Sequence, residues 1–418
     1  MCDTQVLIGD DAVWFAKNSD REPSEPQPVV RLDAVRGDPQ PRLRTTYLDI
    51  TQVRDRHAVI LSKPAWCWGA EMGVNDQGVA IGNEAIFSRQ ATLTPALLGM
   101  DLVRLGLERA DTAARAVQVI AELLEAHGQG GPAGFSDRGF CYDNSFLVAD
   151  PREAWVLETS GRSWAARRVE RAAAISNRLT LTSDYPLASA DLSARPDFSR
   201  RFGTRLMPHF AGAAQRRRLA LSGLGSAVQP SFAHFAAQLR RHGHAADDPL
   251  RGSNGDVCMH AAGFIRRHQT TGSMIVRLSP NGVNAWFTGT SAPCLSIFRP
   301  AGFSGAGSVL TPSAREVEAP LWRRHEWLHR RALADAGLRD RLRVTRDQVE
   351  RQAFELLSSP QPTADAVARA DRLVAAWHKV LWESAAKLPA SPLPRHWRRI
   401  AARDGIDPGR VDGAGYNP

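Results

Sequence analysis

The sequence contains few lysines, so its basic charge comes almost entirely from arginine. Of the 53 basic residues, four are lysines: Lys17, Lys63, Lys379 and Lys387. The formal net charge of +9 and the pI of about 9.8 would suit a nucleic-acid partner. The arginines, however, are spread along the chain and form no stripe interleaved with aromatic residues. We therefore predict no nucleic-acid partner.

The sequence also lacks a long apolar run. No stretch approaches the ~20 continuous apolar residues that a membrane-spanning helix needs. The first residues lack the charged start and apolar core of a signal peptide. The cysteines are odd in number and show no disulfide-like spacing, which favours a reducing compartment; they are Cys2, Cys67, Cys141, Cys258 and Cys294. These features predict a cytoplasmic protein without a membrane partner.

The metal-binding motif CxxC is absent from the sequence, whereas one HExxH run is present at residues 325–329. A second short spacing of possible ligands is Cys258-Met259-His260. We interpret these two side chains as a packed or hydrogen-bonded pair. We predict no metal and no cofactor.

Short apolar runs bounded by turn-forming residues predict several β-strands. They cover residues 12–16, 58–61, 79–81, 145–149, 154–158, 274–278 and 285–288. Residues 94–127 have helical periodicity, with Asp111 as a cap for a second helix and Gly128 as its end. Runs of strands with segregated helices favour an α+β fold.

The last hundred residues differ in composition from the rest. Three Ala-, Leu-, Glu- and Arg-rich segments predict helices, at residues 316–342, 345–357 and 363–386. We predict a catalytic domain over residues 2–310 and a helical extension over residues 311–390. Residues 391–418 are rich in Pro, Gly and Arg and are expected to be partly disordered.

Cys2 becomes the first residue of the chain once Met1 is removed, which we expect. Its thiol then shares a residue with a free α-amine. A free cysteine has a pKa near ~8.5 and an α-amino group one of about 7.7–8.0, so the amine can accept the thiol proton near neutral pH. Cys2 therefore combines a nucleophile for acyl transfer with its own base.

The first twenty residues predict a hairpin that returns polar side chains to Cys2. The apolar runs 4–8 and 12–16 are separated by Gly9-Asp10-Asp11, which is typical of a tight turn. A turn centred on Gly9-Asp10 sets Cys2 opposite Lys17, and a turn one residue later sets it opposite Ser19. Both registers bring residues 17–21 beside Cys2, where a cation lowers the thiol pKa and a carboxylate can hold the amine.

Further blocks follow the hairpin in a fixed order over roughly residues 2–303. They are residues 1–4, 15–21, 63–73, 82–85, 143–151, 153–159, 175–177, 258–260, 269–274 and 288–294. Together they resemble the secernins and their bacterial relatives, the C69 dipeptidases, within the N-terminal nucleophile (Ntn) hydrolase superfamily. The resemblance implies a four-layer αββα sandwich, a small peptide or amide substrate and a homo-oligomer.

The resemblance also assigns roles to the charged residues after the hairpin turn. In the superfamily an Arg-Asn-x-Asp block follows the nucleophile, and Lys17-Asn18-Ser19-Asp20 stands in its place here. Lys17 polarises the thiol of Cys2 but lacks the planar fork of an arginine. Asp20 orients the α-amine.

Two asparagines and one arginine complete the catalytic set that the resemblance implies. Asn83 and Asn177 match the superfamily residues that bind the oxyanion and position the amine, because side-chain amides are neutral hydrogen-bond donors. Arg201, in Phe-Ser-Arg-Arg-Phe, resembles a Ser-Arg-Phe segment of the superfamily, although its interval from Asn177 is short. Arg200 and Arg205 are the alternatives.

Other residues in the blocks are candidates for substrate binding. Trp66 and Trp68 either wall a substrate side chain or pack in the core. His260, Thr270 and Thr271 either contact a substrate terminus or satisfy buried backbone groups. Glu71 could receive a substrate ammonium group.

The sequence thus predicts a cysteine-type amidohydrolase, with dipeptides as the expected substrates. One alternative is an N-acyl amide hydrolase of the choloylglycine or penicillin acylase type. The other is a non-catalytic, secernin-like scaffold. Reaction of Cys2 with an electrophile after Met1 removal discriminates catalysis from the scaffold.

Replacing each cysteine by serine tests the assignment of Cys2. We expect Cys2→Ser to lose most hydrolytic activity because it removes the thiolate nucleophile. The same change at Cys67, Cys141, Cys258 or Cys294 is expected to cost little. Equal losses in all five variants, measured as turnover of a dipeptide, would instead indicate a role of the cysteines in folding.

Overall fold

The computed structural model describes residues 1–225, 229–243, 248–263, 265–303, 320–356, 364–389 and 391–409. The strands are β1 Cys2–Ile8, β2 Val13–Arg21, β3 Val29–Leu32, β4 Arg42–Arg44, β5 Asp49–Thr51, β6 Val59–Ser62, β7 Met72–Asn75, β8 Ala80–Ile86, β9 Asp143–Ala149, β10 Ala154–Ser160, β11 Ser163–Arg168, β12 Ala172–Ser176, β13 Leu187–Ala188, β14 Gln269–Ser279, β15 Gly282–Phe287 and β16 Arg299–Ala301. The helices are α1 Gly99–Arg109, α2 Ala113–His127, α3 Phe198–Phe202, α4 Leu206–Phe210, α5 Ala213–Gly225, α6 Phe232–Leu239, α7 Pro320–Ala334, α8 Ala336–Leu356, α9 Ala364–Ala386 and α10 Arg395–Asp404. The predicted α+β class is confirmed.

Two antiparallel sheets are stacked face to face. The first has six strands in the order β12-β1-β2-β14-β15-β16, and the second has eight in the order β13-β11-β10-β9-β8-β7-β6-β3. Strands β4 and β5 form a separate ribbon. Apolar side chains from the facing sides fill the space between the large sheets, among them Phe15 from the first and Leu147 and Val156 from the second. This burial stabilises the stacking of the sheets.

Helices cover the outer face of each sheet, as the four-layer αββα prediction requires. On the eight-stranded sheet, α1 and α2 pack their apolar faces against residues such as Val59 and Phe146. On the six-stranded sheet, α6 packs Phe235 against Trp14, while α5 packs along β1 and β12. The order of layers is therefore helix, sheet, sheet, helix.

The β1–β2 hairpin adopts one of the two predicted registers. Cys2 lies opposite Ser19 and Thr4 lies opposite Lys17, so the turn is centred between Asp10 and Asp11. Every residue of β2 is buried, because β14 pairs along its other edge and the eight-stranded sheet covers its face. The polar run at the end of β2 is thereby held inside the protein beside Cys2.

The predicted ends of the helices differ slightly from the observed ones. Thr112, and not Asp111, caps α2, because its side chain accepts a hydrogen bond from the Arg115 amide. Gly128 ends the same helix with a φ of 72°, a conformation that glycine adopts at low cost. The predicted break between residues 342 and 345 is wrong, because α8 continues through it. The helices α7 and α8 divide instead near Asp335.

The C-terminal helices pack on the loop that follows β15. Trp327 and Trp377 belong to an apolar cluster that includes Leu295 and Ile297 of this loop. The predicted boundary at residue 310 lies outside the described residues. Within the described ranges, no helix has the combined length and hydropathy needed to cross a bilayer.

Residues 395–404, within the tail that we expected to be partly disordered, form α10. Trp397 is fully buried in this helix, and its indole Nε1 donates a hydrogen bond of 2.8 Å to the Ala261 carbonyl. Pro394 precedes α10 and Gly405 ends it. Residues 410–418 lie outside the described part of the chain. The amphipathic helix is therefore stabilised by burial of one face, which composition alone does not reveal.

Candidate active site

Cys2 lines a cavity of about 780 Å³. Its thiol is buried, with 4% of the residue exposed. The cavity wall combines charged and aromatic residues, including Arg21, Glu25, Glu71, Phe87, Phe140, Tyr142, Phe210, His268, Arg395, Arg399 and Arg403. A concave site of this size and mixed polarity suits a small organic ligand.

Polar groups hold the backbone of Cys2 from two sides. The Cys2 amide nitrogen donates to Asn177 Oδ1 at 2.9 Å. The Met1 ammonium donates to the Asp20 carbonyl at 2.8 Å, and Met1 itself lines the cavity. The Asp20 amide points to Cys2 Sγ at 3.4 Å. Removal of Met1 would open the cavity and leave the Cys2 nitrogen as an amine at the same position.

Asp20 is placed to accept a hydrogen bond from that amine. Its Oδ1 accepts from the Thr270 hydroxyl at 2.6 Å. Within the described part of the chain, no hydrogen-bond donor reaches its Oδ2, whose closest cation is Arg216 Nη1 at 4.0 Å. Burial raises the pKa of Asp20 to about 6, while the chain-terminal amine and Arg216 act in the opposite direction. The carboxylate is therefore ionised near neutral pH and attracts a cation.

Lys17 lies beneath Cys2 as a fully buried cation. Its Nζ donates to the Asn83 carbonyl at 2.6 Å and lies 3.5 Å from Glu84 Oε1. A side chain on Gly82 would collide with Lys17, because its Cβ would lie 2.5 Å from Lys17 Cδ. Burial raises the pKa of the Cys2 thiol, and the charge of Lys17 lowers it again. Lys17 thus offsets part of the cost of forming a buried thiolate.

Arg216, on α5, is the residue that sequence reasoning missed. Its guanidinium is fully buried and donates to the Cys2 carbonyl at 3.0 Å, to Asp3 Oδ2 at 2.5 Å and to Asn177 Oδ1 at 2.7 Å. The planar fork of arginine matches this set of acceptors, which a lysine could not bind together. Arg216 therefore fixes the positions of both Cys2 and Asn177.

Arg201 lies elsewhere, which corrects the sequence expectation. It is exposed on α3, where its guanidinium stacks 5.4 Å from the Phe202 ring. Arg200 is also exposed, with 86% of its side chain accessible. The short interval between Asn177 and Arg201 was the available signal that the arginine lies further along the chain. Arg216 is followed by Arg217 and Arg218, and such a run is typical of an exposed helix. The sequence therefore gave no reason to choose Arg216.

The two predicted asparagines differ in position. Asn177 contacts the Cys2 nitrogen, as described above, and its Nδ2 donates to the Ala85 carbonyl at 2.9 Å. Asn83 donates through Nδ2 to Asn144 Oδ1 at 2.9 Å, on the face of β8 opposite Gly82. Neither Asn177 nor Asn83 is among the described residues that line the cavity. Asn83 contributes its carbonyl, which holds Lys17, and not the predicted side-chain amide.

The two predicted tryptophans lie outside the cavity lining described above. Trp66 donates through Nε1 to Glu25 Oε1 at 2.7 Å, so it supports a cavity residue from behind. Trp68 stacks on the guanidinium of Arg104 at 3.9 Å and packs against the α1–α2 layer. For both tryptophans, the structure favours a packing role over contact with a substrate side chain.

Thr271 and His260 also lie behind the site rather than in it. Thr271 donates to Gln27 Oε1 at 2.7 Å and is buried beside β2. His260 is buried among another histidine and two cysteines. Thr270, the neighbour of Thr271, is the residue of this block that contacts the site, through Asp20.

A buried acidic pair lies next to the thiol. Cys2 Sγ is 3.9 Å from Glu71 Oε2. Arg21 donates to Glu71 Oε1 and to Glu25 Oε1, both at 2.6 Å. Two carboxylates thus share one guanidinium at the wall of the cavity. Sequence reasoning placed Arg21 in the polar block without assigning it this position.

Substitution of Arg216 by lysine tests its role in positioning Cys2. We expect Arg216→Lys to keep the buried charge but lose about two charge-assisted hydrogen bonds, which lowers kcat/KM for an amide substrate about 100-fold. Arg201→Lys is the matched control and is expected to retain wild-type kinetics. Thermal unfolding of both variants shows whether the fold is intact. Equal kinetics of the two variants would contradict the role given to Arg216.

A family of known proteins matches part of the chain. Residues 67–193 match the model of peptidase family C69. Asn83 and Asn177 lie inside the matched stretch, whereas Cys2, Lys17 and Asp20 precede it.

Three solved structures are similar to the chain. The C2A mutant of conjugated bile acid hydrolase from Clostridium perfringens is 12% identical, with 69% of this chain and 88% of that chain covered and a TM-score of 0.39. Penicillin V acylase from Agrobacterium tumefaciens is 13% identical, with 72% and 86% covered and a TM-score of 0.44. The N-acylethanolamine-hydrolyzing acid amidase ortholog of Caenorhabditis elegans is 10% identical, with 66% and 92% covered and a TM-score of 0.36.

The family match agrees with the resemblance that the ordered sequence blocks carry. Residues 67–193 of the chain are thus similar to peptidase family C69.

Proposed function

We propose that the chain is a cysteine-type amide hydrolase that releases amino acids from dipeptides, with Cys2 as its nucleophile. The observation that carries this proposal is the setting of Cys2. Its nitrogen is held at 2.9 Å by Asn177, its carbonyl is held by Arg216, and its thiol faces a cavity. These contacts support a free α-amine at Cys2, positioned to serve as a base.

The reaction uses the amine of Cys2 twice. After Met1 is removed, the neutral amine accepts the thiol proton, and the thiolate forms a bond to the carbonyl carbon of the substrate. The resulting ammonium returns this proton to the departing amine as the carbon–nitrogen bond breaks. Water then attacks the thioester, with the same amine as base, and releases the acid and the free thiol.

The neighbouring charges favour the charged species in these steps. Asp20 Oδ2 attracts the ammonium that forms on Cys2, and Lys17 favours the thiolate. An amide nitrogen has two N–H groups. One N–H of Asn177 Nδ2 binds the Ala85 carbonyl, and we assign the other to the developing oxyanion.

The charge distribution of the cavity supports a zwitterionic substrate. In a dipeptide the ammonium group is attached to the carbon next to the scissile carbonyl, so it lies close to the attacking sulfur. Glu71, 3.9 Å from Cys2 Sγ, is placed to accept it. Arg395, Arg399 and Arg403 form an exposed basic row at i, i+4 and i+8 of α10 at another wall. This row is suited to the carboxylate of the substrate.

The apolar side of the cavity favours a second candidate, an N-acyl amide hydrolase. Phe87, Phe140, Met207, Phe210 and Ile265 all line the cavity, and an acyl chain would bury apolar area against them. Such a substrate has no ammonium next to the scissile carbonyl, so it would give Glu71 no partner beyond Arg21 and the Cys2 thiol. The two candidates therefore differ in whether the substrate carries a positive charge.

A substrate panel separates these candidates. Protein without Met1 and its Cys2→Ala variant are incubated with dipeptides, N-acetylated dipeptides, penicillin V and a glycine-conjugated bile acid. We expect the wild type alone to release amino acids from free dipeptides, with little turnover of the other three classes. Turnover confined to the N-acyl compounds would favour the second candidate. No turnover by either protein, together with no alkylation of Cys2 in the wild type, would favour a non-catalytic scaffold.

The basic row on α10 makes a separate prediction about the substrate carboxylate. We expect Arg399→Ala to raise KM for dipeptides about tenfold, because one charge-assisted hydrogen bond is worth about 1.5 kcal/mol or more. Dipeptides with an amidated C-terminus should show no such change. Arg398→Ala, an exposed neighbour outside the cavity lining described here, is the matched control. An equal increase for the amidated substrates would rule out contact between Arg399 and the carboxylate.

A further inference from the structure

We propose that His242, Cys258, His260 and Cys294 form a structural zinc site, here named the His–Cys cluster. The ligand atoms of these four residues all lie within 4.8 Å of one another. Two thiolates and two imidazoles are a ligand set that Zn²⁺ prefers, usually in tetrahedral geometry. None of the four residues is among the described residues that line the cavity containing Cys2.

The cluster gathers three separate segments of the chain. His242 follows α6, Cys258 and His260 lie in the loop before β14, and Cys294 lies in the loop after β15. Cys258, His260 and Cys294 are each less than 4% exposed. The C-terminal helical extension covers the cluster, since Trp327 of α7 packs in the same apolar group as Cys258 and Cys294.

The three distances from His260 Nε2 agree with those in a tetrahedron around one zinc ion. Bonds of about 2.0–2.1 Å to nitrogen and about 2.3 Å to sulfur place two nitrogens about 3.4 Å apart, and a nitrogen and a sulfur about 3.6 Å apart. His260 Nε2 lies 3.2 Å from His242 Nε2. It lies 3.6 Å from Cys258 Sγ and 3.4 Å from Cys294 Sγ. Three edges of the tetrahedron are thus already in place.

Hydrogen bonding alone does not account for this convergence. One imidazole nitrogen either donates through a single N–H or accepts through a single lone pair. His260 Nε2 nevertheless has three polar neighbours within 3.6 Å, in a buried setting where unsatisfied polar groups are costly. A cation at the centre of the cluster would bond to all four atoms at once.

The number of ligands assigns the ion a structural role. Four protein ligands close the coordination sphere, whereas a catalytic zinc keeps one position for water or substrate. The cluster is nevertheless linked to Asp20. Met259, between two of the ligands, donates from its amide to Thr270 Oγ1 at 2.9 Å, and that hydroxyl donates to Asp20 Oδ1 at 2.6 Å. Zinc binding would therefore hold the loop that orients Asp20.

This inference reverses the expectation of no metal. It also reverses the expectation that Cys258→Ser and Cys294→Ser cost little hydrolytic activity, because loss of the zinc would release the loop that orients Asp20. Cys258 and His260 form a short-spaced pair of possible ligands in the sequence. The other two ligands are distant along the chain: His242 lies 16 residues before Cys258, and Cys294 lies 34 residues after His260. Such intervals match none of the short zinc motifs. Only the antiparallel pairing of β14 with β15 and the position of α6 bring the four side chains together.

Metal analysis of the full chain tests the site directly. We expect protein purified from zinc-supplemented medium to contain about one zinc per chain after gel filtration. Exchange with Co²⁺ should give the intense visible bands of tetrahedral cobalt and a near-ultraviolet thiolate-to-cobalt absorption. Wild-type protein without stoichiometric zinc and without these bands would overturn the proposal. A disulfide between Cys258 and Cys294 in freshly isolated protein would overturn it as well.

Single substitutions identify the ligands. We expect Cys258→Ser and Cys294→Ser to lose at least tenfold in zinc affinity, measured by competition with a chromogenic chelator. Cys67→Ser and Cys141→Ser are matched controls and should bind as the wild type does. Unchanged zinc affinity in both cluster variants would overturn the proposal. If the cluster variants do not fold, zinc stoichiometry and the cobalt spectrum of the wild type decide, and neither depends on hydrolytic activity.

Discussion

The buried guanidinium of Arg216 is the interaction on which the arrangement around Cys2 depends. It joins the carbonyl of Cys2, the carboxylate of Asp3 and the side chain of Asn177, which come from β1 and from the end of β12. Burying such a charge is costly unless its hydrogen bonds are made, so the guanidinium and its acceptors stabilise one another's positions. A helix outside the sheets thereby determines the geometry at the start of the first strand.

The stacked sheets bring the second set of charges to the same place. Lys17 points from β2 into the space between the sheets, where Glu84 of β8 meets it, and Gly82 leaves room for its stem. Burial raises the pKa of Glu84 to about 7, and the ammonium of Lys17 acts in the opposite direction. Buried charged side chains that have oppositely charged partners therefore lie beside Cys2. A reaction that forms an ammonium and a thiolate requires such an environment.

The sequence was sufficient to predict the elements and residues that local pattern controls. The hairpin, one of its two predicted registers, the central strands and α2 agree with the structure. The four layers, which the family resemblance implied, agree with it as well. Residues joined by long-range packing could not be predicted in the same way. Arg216 resembles any arginine on a solvated helix until α5 is placed against β1. The orientation of Asn83 depends on which face of β8 meets the other sheet, and α10 forms because Trp397 finds a buried partner.

The central claim is tested most directly by comparing one protein before and after its N-terminus is exposed by proteolysis. A cleavable leader placed before Cys2 blocks the α-amine, and proteolysis of the leader exposes Cys2 as the first residue without any other change. Dipeptide hydrolysis by the same preparation is measured before and after cleavage, with Cys2→Ala treated identically. If the α-amine of Cys2 is the base, hydrolysis appears only after cleavage and only in the wild type. Full hydrolysis by the uncleaved protein, or by cleaved Cys2→Ala, would contradict this mechanism.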